Sequence, residues 1–128
     1  MPTKITQGIK ISVQAKFQEE YSKPILKQFV FSYQIIIENQ SQHTTQLVER
    51  FWSITDSLGR VREVKGKGVI GLQPILEPGG THTYESWCPL ATPLGHMEGY
   101  FLMIDGSTNK TFKVFVPRFQ LISSTTLN

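Results

Sequence analysis

From Gly66 to Gly80 the chain reads GKGVIGLQPILEPGG, and the residues after Gly71 settle whether a helix can form there. Gly66, Gly68 and Gly71 have the spacing G-x-G-x-x-G, which between a strand and a helix can hold a pyrophosphate against the first helical turn. Here Gln73 and Pro74 come at once, then Pro78, Gly79 and Gly80. Proline lacks an N–H and clashes with the preceding turn, so no helix of useful length can leave Gly71 and aim its N-terminal donors at a ligand. The stretch reads instead as a glycine-rich bend between strands, with Pro78-Gly79 suited to the centre of a type II turn.

On both sides of this bend the chain has the period of two that marks half-buried strands. Ile9, Ile11, Val13, Ala15 and Phe17 alternate with Lys10, Ser12, Gln14 and Lys16. A second strand over Lys27 to Glu38 turns Phe29, Phe31, Tyr33, Ile35 and Ile37 inward. A third, Gln46 to Thr55, puts Val48, Trp52 and Ile54 on one face with Arg50. An arginine on that phase must reach the sheet rim, find an acidic partner or sit at a bulge, because a buried unpaired charge costs several kcal/mol. Asp56 to Gly59 supplies turn chemistry into a strand over Arg60 to Lys65, and a short strand over Leu72 to Leu76 comes after the glycine bend. His82 to Leu90, His96 to Asp105 and Lys110 to Ile122 complete the set. The His96 strand is apolar on both faces, which suits the middle of a sheet or an outer face that meets a partner. Pro117 marks an edge or a bulge in the last strand, and the terminal SSTTLN should fray. Turn signals recur about every ten residues, so the expected fold is all-β: a single-domain sandwich of about seven or more antiparallel strands.

Three segments carry a family likeness: RFWSITDSLG from Arg50, the glycine stretch itself, and SWCPLATPLGHMEGYFLM from Ser86. Taken in order and with few gaps, they resemble the ApaG family across nearly the whole chain. The pattern departs at Gly80, where an acidic residue is common, and at His96, where a small or hydroxyl residue is usual. The resemblance implies an immunoglobulin or fibronectin type III-like β-sandwich, a genetic association with cobalt resistance and magnesium efflux, and use as an interaction domain. It implies no reaction.

Composition narrows the function classes. Of 128 residues, 39 % are hydrophobic and 18 % charged, a balance outside the regime of disorder. The single cysteine, Cys88, can close no intrachain disulfide and excludes a cysteine-based zinc site, which suits a reducing cytoplasm. The first residues, MPTKITQGIK, lack the apolar core of a secretory signal, and no apolar run nears the ~18 residues needed to span a bilayer. Net charge is +3, and the basic residues cluster only at Arg60, Arg62, Lys65 and Lys67, too small a patch for a nucleic-acid footprint. The expectation is a cytoplasmic protein that binds neither nucleic acid nor membrane.

Four chemistries then compete. Cys88 would be a nucleophile only in an exposed, electropositive site within reach of His82 or His96, and the sequence otherwise lacks a serine elbow or a zinc-protease motif. With no convergent catalytic set and no cofactor motif, the chain reads as a non-enzyme needing no cofactor. His96 and Glu98 share one strand face and could together touch a divalent cation. Lys65, Gly66, Lys67, Gly68 and Gly71 could form a nest of backbone N–H groups that weakly holds a phosphate, pyrophosphate or nucleotide. Finally, a sandwich can bind a protein partner through an edge or an apolar patch, with Trp52, Trp87, Tyr100 and Phe101 as candidate contacts. The same edges could pair with a second copy of the chain, giving a homodimer. A protein-interaction module is the leading reading.

Overall fold

Alternation fixes the strands. In the computed structural model, which describes residues 1–123, β1 is Thr3–Thr6, β2 Ile9–Phe17, β3 Phe29–Asn39, β4 Thr45–Asp56 and β5 Val61–Lys67. The order continues with β6 at Ile75–Leu76, β7 at Thr81–Leu90, β8 at Leu94–Asp105 and β9 at Thr111–Ile122. Every pairing among these strands is antiparallel. One sheet has the order β1-β2-β3-β7; the other runs β5-β4-β8-β9, with β6 beside the end of β4 that β5 leaves free.

The inward phases meet as one core. Ile9, Ile11 and Val13 of β2 and Phe31, Ile35 and Ile37 of β3 face Trp52, Met97, Phe101, Met103, Val114 and Leu121 of the opposite sheet, all buried. Trp52 stands at the centre, its ring edge-on to Tyr33, Phe101 and Phe119. Each such side chain contributes roughly 1.5–3 kcal/mol by leaving water, so the seam between the sheets holds the fold together.

Turn chemistry closes the strands as the residues dictate. The Asp56 carboxylate accepts the N–H groups of Leu58 and Arg60, and Gly59 takes φ +80, which makes the β4–β5 hairpin. The Gly80 N–H donates to the Glu77 carbonyl across Pro78-Gly79, with Gly79 at φ +84, as a type II turn requires. β8 lies between β4 and β9, in keeping with its two apolar faces.

Several details depart from the pattern. β1 was not expected: TKIT is too short to show alternation and is ordered by its ladder with β2. The pairing of β4 with β8 slips between Leu47 and Glu49, so Val48 is a bulge and Leu47, not Val48, joins Trp52 in the core from that strand. A second slip sets Gly99 opposite Val116 and Met97 opposite Phe119, placing Pro117 in a bulge on the outermost strand of its sheet. The strand expected over Leu72 to Leu76 shrinks to its last two residues, because Pro74 has no N–H to give and Gln73 ties its side chain to the Val48 carbonyl. The polar stretch after β2 winds into two short 3₁₀ turns, Glu19–Tyr21 and Pro24–Leu26. Of the tail expected to fray, Ser123 is buried with its N–H on the Pro93 carbonyl, and residues 124–128 lie outside the described residues.

The two flanks of the sandwich differ. On one, β9 packs against β1 and β2, and the Phe115 N–H donates to the Thr6 hydroxyl. On the other, β5 faces β7 and Arg62 reaches across, Nη2 donating to the Pro89 carbonyl at 3.0 Å. The glycine stretch hangs over this second flank.

Candidate functional site

Arg50 keeps the inward phase of Trp52 and Ile54 and so enters the gap between the sheets just after the Val48 bulge. Its Nη1 donates to the carbonyls of Lys67 (3.1 Å) and Gly68 (2.9 Å), and no carboxylate pairs with it among the described residues. Gly66 lies opposite Arg50 in the ladder, and a Cβ there would meet the guanidinium at 2.8 Å. The first glycine of the motif is thus explained by the arginine that passes over it. At Gly68 (φ +65) a side chain would run into the Leu72 carbonyl. The Gly68 N–H donates to the Val48 carbonyl, while Val69 and Leu72 exchange N–H···O bonds around Ile70 and Gly71, both at positive φ. That is a two-residue turn of the kind that closes hairpins. The nest expected of Lys65, Gly66, Lys67, Gly68 and Gly71 is therefore revised: the N–H groups of Gly68, Val69 and Leu72 serve carbonyls, and Lys65 turns outward to Glu49 at 3.9 Å.

Beneath the turn lies a cavity of about 250 Å³ lined by Tyr33, Arg50, Trp52, Lys67, Tyr84 and Ser86, with Val69, Ile70 and Gly71 as its roof. Burial raises the Tyr33 phenol, opposed by a hydrogen bond with Ser86 and by the Arg50 charge. Burial lifts Tyr84 well above the usual tyrosine value, again against the pull of Arg50. Both phenols thus stay protonated, within reach of the guanidinium's field. The Tyr84 hydroxyl is buried and makes no hydrogen bond. Ile70, a β-branched residue at φ +48, carries backbone strain at the cavity's edge.

The outer face of the same sheet carries a row of rings. Phe51, Tyr100 and Phe115 are ladder partners on β4, β8 and β9. Phe51 stacks on Tyr100 at 5.1 Å, and Tyr100 meets Phe115 at 6.4 Å. Lys113 lies over Tyr100 at 4.5 Å, Lys4 over Phe115 at 5.5 Å, and Lys65 pairs with Phe51 in the ladder. Of the four aromatic candidates from sequence, Trp52 and Phe101 are core residues and out of a partner's reach: at 3 % and 0 % exposure they fill the seam between the sheets. Tyr100 is half-buried on the outer face; Trp87 is exposed on the other sheet, edge-on to Tyr21 at 5.3 Å. Phe51, Phe115 and Tyr21 were missed, although Phe51 and Phe115 have the polar-face phase that should have flagged them.

The remaining candidates are engaged elsewhere. Cys88 is buried, and that burial raises its thiol against the opposing charge of Arg62, whose Nη2 lies 3.6 Å from Sγ. Such a thiol is a poor nucleophile. Glu98 receives two hydrogen bonds from Arg118, at 3.2 and 3.1 Å, which hold its carboxyl below the usual range. His96 is its neighbour, and no group of three metal-ligating side chains forms among the described residues. No helix among them is long and apolar enough to cross a membrane.

Known proteins match this architecture along its length. The family model of the ApaG domain matches residues 19–105. Protein ApaG of Mesorhizobium japonicum is 44 % identical over 91 % of this chain and 89 % of its own length. Protein ApaG of Brucella abortus is 40 % identical over 94 % and 92 %. A crystal structure from Bordetella pertussis, of a protein provisionally called ApaA, is 38 % identical and superimposes with a TM-score of 0.88 over 96 % of both chains.

Proposed function

Because the chain belongs to the ApaG domain family, we propose that it works as a non-enzymatic, cytoplasmic binding module whose β4-β8-β9 outer face grips a protein partner. The observation that carries this reading is the row Phe51, Tyr100 and Phe115, with Phe115 42 % exposed and lysines at both ends. Rigid aromatic rings dominate binding energy where they stay accessible, because they bring large contact area at little entropic cost. Lys4, Lys65 and Lys113 around the row favour an acidic partner surface. On this reading the association with cobalt resistance and magnesium efflux runs through the partner, since the carboxylate of Glu98 already serves Arg118.

The test is affinity capture with the intact protein, a Tyr100→Ala/Phe115→Ala double variant and Trp87→Ala. A partner held by the intact protein and by Trp87→Ala, but lost by the double variant, is the expected result. A partner that the double variant retains would place recognition on another surface.

A further inference from the structure

We propose that the cavity beneath the glycine turn binds a single tetrahedral oxyanion of phosphate size, clamped by Arg50 and the hydroxyls of Tyr33, Tyr84 and Ser86. This site lies inside the sandwich and is independent of the aromatic row outside it.

The lining is one-sided in its chemistry. Arg50 engages Nη1 with the Lys67 and Gly68 carbonyls, which fixes the fork and leaves Nη2 and Nε as donors. Tyr33 and Ser86 are ladder partners, and both place a hydroxyl group at the cavity lining. Tyr84 adds a buried hydroxyl with nothing to bond, a state that costs free energy unless a ligand relieves it. Lys67 is held at the cavity's edge by its carbonyl, which takes the Arg50 hydrogen bond, and no aspartate or glutamate lines the cavity. A partly buried guanidinium without a carboxylate, ringed by hydroxyl donors, calls for an anion from outside.

Size and donor number choose among anions. A cavity of about 250 Å³ is below the roughly 300–1,000 Å³ of ordinary small-molecule pockets, so a phosphate fits and a nucleoside does not. Two guanidinium nitrogens and three hydroxyl-bearing side chains surround the space, which matches the several oxygens of phosphate better than the two of a carboxylate. The backbone supports the same geometry: Gly66 makes room for the guanidinium, and the tight turn through Ile70 holds the roof despite its strain.

An NMR titration of the ¹⁵N-labelled protein at constant ionic strength tests this, with inorganic phosphate, acetate and ATP in separate arms. Phosphate should produce saturable shifts at Tyr33, Tyr84 and Ser86, with acetate weaker and ATP without effect on these residues. Arg50→Lys keeps a positive charge but loses the fork, and should weaken phosphate by about tenfold or more. Tyr84→Phe provides a control for folding: without phosphate it should melt no lower than the original chain, having shed an unpartnered hydroxyl, yet gain less from added phosphate. Shifts confined to surface lysines, equal phosphate affinity in both variants, or no saturable response would overturn the site. Acetate binding as well as phosphate would overturn its tetrahedral selectivity, and ATP shifting the cavity residues would overturn the size argument.

Discussion

Where β1 and β2 meet β9, the space between the sheets is filled by Ile11, Val13, Val114 and Val116 and tied by the Phe115 N–H on Thr6; where β5 faces β7, the corresponding space holds Arg50, Arg62 and a cavity. The first flank obeys the ordinary rule that apolar faces exclude water. The second keeps two cations in positions where larger apolar side chains would seal the gap. What separates them is the inward phase of β5, which reads Arg62, Val64, Gly66 and so offers little to pack. The contrast puts the tightly packed, stabilising seam on one side and leaves the other open for the oxyanion proposed above.

Removing bulk from the closed flank should hurt most. Ile11→Ala leaves a hole in a fully buried position, and a loss of about 2–5 kcal/mol in denaturant unfolding is expected. On the open flank, Arg50→Met strands the Lys67 and Gly68 carbonyls but removes a partly desolvated charge, so the loss should be smaller, about 1–3 kcal/mol. If it equalled that of Ile11→Ala, the division between flanks would fail. At the roof the sign reverses: Ile70→Asn suits positive φ better than isoleucine and should stabilise by about 1 kcal/mol, visible as a rise in Tm.

The smallest effect lies on the outer face and depends on pH. Glu98 is held low chiefly by its hydrogen bonds from Arg118, so its contribution is present above the ordinary glutamate value of 4.5 and fades as pH falls through the lower folded value. At 44 % side-chain exposure this amounts to only about 0.2–1 kcal/mol. Arg118→Gln should lower stability at pH 7 by that small amount and leave it unchanged in strong acid, flattening the Glu98 part of the acid unfolding curve, while the turn carboxylates Asp56 and Asp105, also held low by their hydrogen bonds, keep the rest of its slope.

Strand placement was legible because burial on one face imposes a period of two, and Pro74, Pro78 and Gly79 ruled out the helix that a nucleotide cradle needs. The bulge at Val48 was not, since one extra residue leaves the alternation of Leu47 and Trp52 locally plausible on either phase. Arg50 was correctly flagged as needing a rim, a partner or a bulge, yet its partners are carbonyls that only the folded loop supplies. The cavity was invisible for a related reason: Tyr33, Arg50 and Tyr84 lie on three strands and share no sequence pattern. Aromatic identity alone could not sort Trp52 and Phe101 from Tyr100, because exposure depends on which sheet face meets the other sheet.

Of the four outer strands, β1 packs against β9 and the other three are built against strand addition. Pro89 interrupts β7, Pro117 kinks β9, and β5 presents Glu63, Lys65 and Lys67 along its length. A strand from a neighbouring molecule would find missing donors on two of these rims and charged side chains on the third, which blocks end-to-end zippering into fibres. Concentrated solutions should therefore stay clear and free of amyloid-type dye binding, and the molecule is left to meet others by its faces.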